Sequence, residues 1–348
     1  MVANKSVIER PPMINESKLS KYYSAIADKL NELIPIDWTH VVMRTLVDDG
    51  WSSTTFYFYN EDGKVYHWGD IFEELGADED EFDECFDELS ELNEAFWEEF
   101  EDEDDVWTSF TFDLTSDGRF KVEFDYDAID YDIGGTAREV RWAYDRLNLI
   151  PGDDYEKKLL REYYKEKYGE KECLVADRLI LLPHGTKYIE TTHKYATDIE
   201  NTKYMMALPS DSYEATMSFL ESCEAEWNKD VPGFLEFAII KDKIQIGSIG
   251  LYINDACDSV ELGWILDREQ HGFGYATEAA KAAMLYAQNE LNISNFTATC
   301  DSENIASENV MKKLGMTRVC CRGGRKNKNS DEERLEYLYE KRKAQCFV

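Results

Sequence analysis

The chain has few basic residues for its length. Lys and Arg number 38 against 72 Asp and Glu in 348 residues, a formal net charge of −34. Residues 1–170 hold 17 basic and 44 acidic side chains, a net charge of −27, so the remainder carries −7. Between Glu61 and Asp105 the only basic residue is Lys64. Such a field disfavours direct binding to nucleic acid or to an anionic membrane and favours a cationic partner for the first half.

The sequence also lacks paired cysteines and long apolar runs. Its 8 cysteines form no C-x-x-C pair and show no regular spacing, so we expect reduced thiols and no metal site. No stretch approaches the roughly 18 apolar residues of a membrane span, and the first residues have no apolar core like that of a signal peptide. We therefore expect a cytoplasmic protein.

Hydrophobic periodicity predicts mixed helices and strands in both halves of the chain. In the first half we expect helices at 18–33, 82–100, 136–147 and 154–168, and strands at 40–47, 54–59, 64–68, 107–114 and 119–126. In the second half we expect helices at 186–197, 212–228, 275–290 and 305–314, and strands at 178–182, 234–240, 244–253, 259–266, 295–301, 317–322 and 335–342. The pattern indicates an α/β or α+β architecture.

The predicted domains are residues 1–168 and 177–348, joined by a linker at 169–176, where the charge density falls. The helix from Phe82 has one apolar stripe, and its other faces are almost wholly acidic. Like charges four residues apart on a helix cost roughly a few tenths of a kcal/mol of stability per pair. Stability alone does not explain why the helix accumulates such pairs. A solvated helix face is the alternative interpretation of this surface.

One loop in the second half has the pattern of an anion site. Gly272-Phe273-Gly274 follows a predicted strand and leads directly into an Ala-rich helix. A glycine turn that opens a helix directs free N–H groups and the positive end of the helix dipole to one point. G-x-G alone is a weak signal, so a flexible helix entrance is the alternative.

The residues around this loop resemble the GNAT superfamily of acyl-CoA-dependent N-acyltransferases, in particular its RimJ/RimL-like branch. The family motif for pyrophosphate is Q/R-x-x-G-x-G/A, and residues 271–276 fit it except for histidine at the first position. Other matching words are R-L-I-L at 178–181, E-L-G-W-I-L at 261–266, T-E-A at 277–279, N-I-A-S at 304–307 and K-L-G-M at 313–316. The resemblance covers residues 176–343 and implies a mixed, mostly antiparallel sheet flanked by helices.

The resemblance also implies a coenzyme A site, with acetyl-CoA as co-substrate. Its pantetheine arm is expected along a strand that splays from its neighbour, and its pyrophosphate at the glycine loop, where a Cβ would block the approach of a phosphate. The expected binding residues are Trp264, Ile265, Leu266, His271, Gly272, Phe273, Gly274, Tyr275, Ala276, Thr277 and Asn304. We assign His271 to loop packing or a phosphate contact, and Cys300 to the core.

Amide transfer needs an amine that has lost a proton and a proton for the departing thiolate. Many GNAT members use a tyrosine seven residues after the asparagine, and some a glutamate five residues before it; here these positions are Met311 and Thr299. Ser307 and Glu261 remain as candidate catalytic residues. Their alternatives are a hydroxyl that bonds the helix start and a solvated strand residue. Positioning of the two reactants alone is a third alternative.

The first half resembles the YezG family of bacterial immunity proteins, which are antidotes to polymorphic nuclease toxins. The matching residues, in order over about 17–165, are Ile34-Pro35, Trp38, Glu81–Glu84, Trp107-Thr108, Phe120-Lys121, Phe124–Tyr126, Arg141–Tyr144, Leu149–Pro151, Tyr155 and Leu159. The resemblance implies a basic nuclease toxin as the partner of residues 61–105. Charge reversal of Glu98, Glu99, Glu101 and Glu103 is expected to abolish that binding.

The sequence thus predicts an acidic α+β immunity domain fused to a GNAT domain. The leading function is acetyl transfer to an amine, with a protein N-terminus or a small molecule as acceptor. The competing function is a non-catalytic immunity protein that blocks a nuclease through its acidic surface.

Overall fold

The computed structural model describes residues 16–100 and 106–342, in two compact units, residues 1–133 and 134–348. Each unit is built on its own sheet, and the fold class is α+β, as predicted. In the described part, no helix is long and apolar enough to cross a membrane. No group of three or more His, Cys, Asp or Glu side chains in that part is placed to hold a metal ion.

The first unit packs two helices on an antiparallel sheet of five strands. Its elements are α1 (Glu16–Leu33), β1 (Trp38–Asp48), β2 (Trp51–Asn60), β3 (Val65–His67), α2 (Asp70–Glu73), α3 (Glu79–Glu98), β4 (Ser109–Thr115) and β5 (Phe120–Asp125). The sheet order is β3-β2-β1-β4-β5. The short helix α2 is absent from the sequence prediction, because four residues are too few to show a helical period.

The apolar stripe of α3 lies in the core of this unit. Phe82, Leu89 and Phe96 are buried, and they pack with α1 against the aromatic side chains of β2 and β4. Asp78 begins the helix, because its carboxylate accepts the N–H of Glu81 and so caps the first turn. The long acidic helix predicted from the sequence is therefore present, and its acidic faces point away from the core.

The second unit has an eight-stranded sheet. Its helices are α4 (Gly135–Leu147), α5 (Asp154–Tyr168), α6 (Ile189–Thr197), α7 (Ile199–Thr202), α8 (Tyr213–Trp227), α9 (Tyr275–Asn289) and α10 (Ile305–Lys313). Its strands are β6 (Leu174–Val175), β7 (Ile180–Pro183), β8 (Phe234–Lys241), β9 (Ile244–Ile253), β10 (Val260–Leu266), β11 (Phe296–Asp301), β12 (Thr317–Lys326) and β13 (Glu333–Lys341). The order is β12-β13-β11-β10-β9-β8-β7-β6, and among the described strand pairs only β10 and β11 are parallel.

Helices cover both faces of this sheet. On one face, the alanines of α9 and Met311 of α10 pack with the apolar side chains of β8 to β11. On the other face, α4 and α5 place Tyr144, Leu160 and Tyr164 against Ile180 of β7 and neighbouring strand residues. The central strands β7 to β9 are therefore buried on both faces, whereas β12, at one edge of the sheet, is exposed along most of its length.

The compact units differ from the predicted domains. The sequence places α4 and α5 in the first domain, but their apolar faces find their core on the second sheet, so the folded unit begins at residue 134. The predicted linker 169–176 contains Cys173, which is fully buried, and β6, which pairs with β7. The segment with the lower charge density is therefore part of the sheet of the second unit.

Candidate active site

The second sheet opens between β10 and β11. These parallel strands are paired only at Val260–Phe296 and Glu261–Thr297, whereas β10 stays paired with β9 on its other edge as far as Leu266. Beyond Glu261 the two strands separate, and the backbone of residues 262–266 turns one edge toward the gap. The splayed strand that the family resemblance implies is present.

A cavity of about 430 Å³ occupies this gap. Its walls come from β10, the glycine loop, the first turn of α9, the end of β11 and the first turns of α10. The lining includes these predicted cofactor residues: Trp264, Ile265, Leu266, His271, Gly272, Gly274, Tyr275, Ala276, Thr277 and Asn304. Phe273 is not among the lining residues and is 59% exposed. The geometry brings the remaining ten together, while their binding of a cofactor stays a prediction.

The two loop glycines have left-handed backbone conformations. The φ angle is 87° at Gly272 and 86° at Gly274, which is the N-cap of α9. An added Cβ at Gly272 would meet no atom within 4 Å, so the positive φ is what requires glycine in the protein itself. No side chain caps the first turn of α9. The Thr277 N–H donates to the Gly274 carbonyl over 3.1 Å, which leaves the N–H groups of Tyr275 and Ala276 to an anion.

Arg178 holds the loop from the side. Its guanidinium donates to the carbonyl of Phe273 (3.2 Å) and, through Nε, to Glu278 (2.8 Å), and it stacks on the ring of Tyr275 with 4.8 Å to the centroid. The backbone N–H of Arg178 donates to the same carboxylate (2.6 Å). Arg178, the first residue of the R-L-I-L motif, therefore fixes the loop. The sequence did not predict this role.

The carbonyl of Leu266, where β10 ends, is held by two side chains. Asn201 Nδ2 donates to it over 2.9 Å, and His271 Nε2 lies 3.3 Å from it. The His271 contact agrees with loop packing. Asn201 also lines the cavity, and its Oδ1 is buried without a hydrogen-bond partner in the described structure. Sequence reasoning missed Asn201, since it comes from the short helix α7, which has no periodic signal.

The first turn of α10 carries Asn304 and Ser307. Asn304 is the N-cap, and its Oδ1 accepts the N–H of Ser307 over 3.0 Å, which leaves its amide NH₂ for a ligand. Ser307 therefore uses its backbone rather than its hydroxyl in the cap. Both residues line the cavity. The alternative for Ser307 is a hydroxyl that bonds the start of the helix. Among the described residues the Ser307 hydroxyl makes no such hydrogen bond.

Glu261 reaches the cavity through Thr299. The Thr299 hydroxyl, on a cavity-lining residue of β11, donates to Glu261 Oε1 over 3.0 Å. Glu261 itself is exposed and does not line the cavity. Met311 is fully buried in the core, so no proton can come from its position. Cys300 lines the cavity wall, but burial raises the pKa of its thiol to about 11, which keeps it protonated near neutral pH.

The far end of the cavity is polar. Arg325 is buried there and donates to Glu336 (2.7 Å), to Asn327 (3.1 Å) and to the carbonyl of Tyr204 (2.8 Å). This joins β12 and β13 to the chain after α7. Sequence reasoning missed Arg325, because its partner Tyr204 is 121 residues away.

In the first unit, helix α1 neutralises part of the acidic helix. Lys29 pairs with Glu88 of α3 and with Glu32 (2.8 Å), and Lys18 pairs with Glu99, which also accepts from Tyr22 (3.0 Å). The Lys18 ammonium lowers the pKa of Glu99. Glu99 therefore has a structural role, whereas Glu101 and Glu103 lie outside the described residues.

Other carboxylates of α3 have no such partner. The exposed side chains without an ion pair in the described structure include Asp80, Asp83, Glu84, Asp87, Glu91 and Glu98. A groove of about 490 Å³ runs between α1 and α3, with an apolar floor from Leu33 and Phe82 and acidic walls that include Glu84. The surface combines negative charge with apolar area, which suits a cationic protein partner.

The splayed strands, the positive-φ glycine loop at α9 and the capping asparagine of α10 define a class of protein. The second unit is a GNAT acetyltransferase domain, and the family model described as "Acetyltransferase (GNAT) domain" matches residues 178–317. The model described as "Immunity protein YezG-like" matches residues 19–161. The chain therefore belongs to the YezG-like immunity proteins through its first part and carries a GNAT N-acetyltransferase domain in its second.

Individual relatives are each similar to one part of the chain. The type VII secretion system protein EsaG of Staphylococcus aureus is 33% identical over 161 residues, which are 44% of this chain and 98% of that protein. The N-acetyltransferase YnaD of Bacillus subtilis is 30% identical over 148 residues, 42% of this chain and 82% of YnaD. A crystal structure of RimL, a ribosomal L7/L12 N-acetyltransferase in complex with coenzyme A, shares 17% identity with a TM-score of 0.44, covering 49% of this chain and 97% of RimL.

The family match and the folded units end at different places. The YezG-like match runs to residue 161, inside α5, although α4 and α5 pack on the sheet of the second unit. The last part of the immunity sequence thus contributes to the hydrophobic core beside the acetyltransferase sheet.

Proposed function

We propose that the second unit transfers the acetyl group of acetyl-CoA to a primary amine and that the first unit binds and neutralises a basic nuclease toxin. The observation that carries the enzymatic proposal is the cavity between β10 and β11, closed at one end by an uncapped helix start with two positive-φ glycines. A protein N-terminus or a small amine would serve as acceptor.

The residues present fit coenzyme A. The open backbone edge of Trp264–Leu266 would hold the pantetheine arm, the N–H groups of residues 272–277 the pyrophosphate, and the Asn304 amide the arm near its thiol end. Bound acetyl-CoA supplies an activated acyl group, the thioester. The Arg178–Glu278 pair keeps the one acidic residue of the first turn of α9 from opposing the phosphates.

We propose two side chains for the proton transfers that accompany the direct attack of the amine. The amine nitrogen must lose a proton to form the amide, and the departing sulfur must gain one. We assign the first role to Glu261, which the Thr299 hydroxyl ties to the cavity, and the second to the Ser307 hydroxyl, which lies on the cavity wall without another hydrogen bond in the described part. Positioning by the cavity adds to both.

Calorimetric titration with acetyl-CoA tests the enzymatic proposal. We expect one site with an affinity in the micromolar range and release of free thiol when an amine is added. No binding at millimolar acetyl-CoA would eliminate the acetyltransferase function and leave the alternative, a non-catalytic immunity protein.

The acidic face of α3 supports the second activity. A rigid anionic surface can occupy the basic substrate groove of a nuclease, and the attraction weakens as salt rises. The measurement is the activity of a secreted nuclease toxin, taken from any neighbouring reading frame that encodes one, in the presence and absence of the protein. Full nuclease activity at a molar excess of the protein would rule out neutralisation, whatever the outcome with acetyl-CoA.

A further inference from the structure

Glu236 of β8 is a buried carboxyl group without a cationic partner in the described structure. It is 4% exposed; the Ser248 hydroxyl donates to Oε1 (2.7 Å) and the Tyr252 hydroxyl to Oε2 (3.3 Å). Burial raises the pKa of this carboxyl to about 7. An unpaired buried carboxylate is costly, and an apolar side chain would serve the sheet better. A cost of this kind is a feature of functional sites.

Two glycines make room for this group on the sheet. Gly250 of β9 and Gly263 of β10 are partners in register. A Cβ at Gly250 would lie 2.3 Å from Glu236 Oε2 and 2.7 Å from the Tyr252 ring, and a Cβ at Gly263 would lie 3.0 Å from the same ring. Only residues without side chains allow the carboxyl and the phenol to lie flat on these strands.

Tyr252 connects the buried carboxyl to the candidate active site. In the β9–β10 ladder it faces Glu261, whose carboxylate accepts from Thr299 of the cavity wall. Its ring lies against Gly263, which lines the cavity. Tyr252 is 42% exposed, so an acceptor can reach it, whereas Glu236 is beyond reach.

We propose, on the basis of the proposed acetyl transfer, that Tyr252 and Glu236 take up the first proton of a primary ammonium acceptor. An N–H bond of R–NH₃⁺ breaks and its proton passes to the Tyr252 oxygen, while the Tyr252 O–H proton passes to Glu236 Oε2. The amine becomes neutral, the phenol is restored, and the carboxylate becomes a carboxylic acid. Glu236 acts through Tyr252 and is a positioning residue; Tyr252 touches the acceptor.

This assignment gives a separate role to each of the two carboxyl groups, Glu236 and Glu261, because the acceptor releases two protons. The nitrogen of R–NH₃⁺ loses two protons when it becomes an amide. The sulfur takes the Ser307 hydroxyl proton, which one of these two protons replaces, and the other returns from Glu236 through Tyr252 to the solvent. Glu236 receives the ammonium proton before the attack, and Glu261, beside the cavity, receives the second one as the new C–N bond forms and the C–S bond breaks.

The surroundings of Glu236 set the expected pH dependence. The other titratable groups that face it are Tyr195 and Cys223, and burial raises the pKa of each, so both are neutral at pH 7. Glu236 also raises the pKa of Tyr252, which keeps the phenol protonated. Arg322, whose pKa the Glu261 carboxylate helps to raise, is paired with Glu336. The active form therefore accumulates as pH rises through about 7, when Glu236 loses its proton.

The test uses the full chain, acetyl-CoA and a defined set of amines: spermidine and tryptic peptides of a bacterial lysate, with acetylated products identified by mass spectrometry. Rates on the best acceptor are then followed between pH 6 and 9 for the wild type, Tyr252→Phe and Glu236→Gln. Tyr286→Phe, which removes a hydroxyl from the opposite side of the sheet, is the matched control.

We expect roughly hundredfold lower kcat/KM in Tyr252→Phe at pH 7.5, and in Glu236→Gln a loss of the rise in rate through pH 7, with unchanged acetyl-CoA affinity in both. Tyr286→Phe should retain the wild-type profile. If both variants keep the wild-type rate and pH profile and change only thermal stability, the pair is structural and the inference fails, while the proposed function stands. If acetyl-CoA does not bind to the wild-type protein, the proposed function itself is wrong, whatever the two variants show.

Discussion

Arg178 and Glu278 are 100 residues apart in the chain and share two hydrogen bonds at the candidate pyrophosphate site. Glu278 is the one acidic residue in the first turn of α9, where a negative charge competes with a bound anion for the helix dipole. Arg178 neutralises that charge and also contacts the loop carbonyl of Phe273. The pair therefore couples the shape of the loop to its electrostatics.

Replacing Arg178 tests this coupling. We expect Arg178→Ala to weaken acetyl-CoA binding by about tenfold, measured by calorimetry, because a carboxylate is then exposed beside the phosphates. Arg178→Lys should give an intermediate affinity, since an ammonium keeps the charge but not the two-point contact. Lys281→Ala is the control, because it removes a positive charge from an exposed position of α9 without touching the loop. Equal affinity in Arg178→Ala and Lys281→Ala would contradict the coupling.

Gly274→Ala should both destabilise the protein and weaken cofactor binding. An alanine at φ 86° costs roughly 1–2 kcal/mol, and the strain is relieved only by moving the N–H groups that face the cavity. Chemical unfolding and acetyl-CoA titration measure the two effects. Gly152→Ala is the control, because an added Cβ there meets no atom within 4 Å and φ is not positive. An unchanged Kd in Gly274→Ala would show that the loop amides do not bind the cofactor.

Elements that depend on local signals were predictable. The stripe of α3, the hairpin of β8 and β9, and the run from β10 through the glycine loop to α9 all follow from periodicity, turn residues and the glycine pattern. Ten of the eleven predicted cofactor residues line one cavity: nine belong to the contiguous segment 264–277, and β11, which pairs with β10, brings Asn304 beside them. The side chain of Phe273 is 59% exposed and lies outside the cavity lining, while the expected contact of its backbone N–H with the cofactor stays a prediction.

Contacts made at long range were not predictable. Nothing near Arg178 in the sequence shows its pairing with Glu278, and nothing near Glu236 shows that two glycines on other strands make room for its carboxyl. The start of the second compact unit was missed for the same reason. An amphipathic pattern on α4 and α5 shows that they bury one face, but it does not show against which sheet.

Ser307→Ala and Glu261→Gln separate proton transfer from positioning. If Ser307 protonates the sulfur, its removal should lower kcat by about a hundredfold or more, with an unchanged Kd for acetyl-CoA and little change in stability, because the cap uses its backbone N–H. Glu261→Gln should lower kcat/KM for the amine by a similar factor. Asn304→Ala is the contrasting variant: it loses the cap and about 1 kcal/mol of stability. Wild-type turnover in both catalytic variants would leave positioning alone.

His184 should make the second unit sensitive to acid. Burial lowers the pKa of this histidine to about 3, while an unfolded chain has the ordinary value near 6.5. Between these values the unfolded state binds the extra proton, so the contribution to stability is complete above pH 6.5 and is lost as pH falls toward 3. His184→Asn keeps an acceptor for the Gly185 N–H and cannot titrate. The wild type should lose up to about 1.4 kcal/mol per pH unit more than this variant on acidification, measured by urea unfolding; parallel pH curves would contradict it.

Charge reversal on one face of α3 tests toxin binding without disturbing the fold. Asp83, Asp87, Glu91 and Glu98 are exposed, lie at helical spacing on one side and have no ion pair in the described part, unlike Glu99. Changing these four to Lys should raise the Kd for the inactivated basic nuclease toxin that the protein neutralises by about a hundredfold at low salt, with a smaller effect at high salt. The control reverses four exposed acids of the second unit, Glu221, Asp230, Asp255 and Asp331, which gives the same net charge. Equal loss in both sets would mean that net charge alone, rather than the α3 face, attracts the partner.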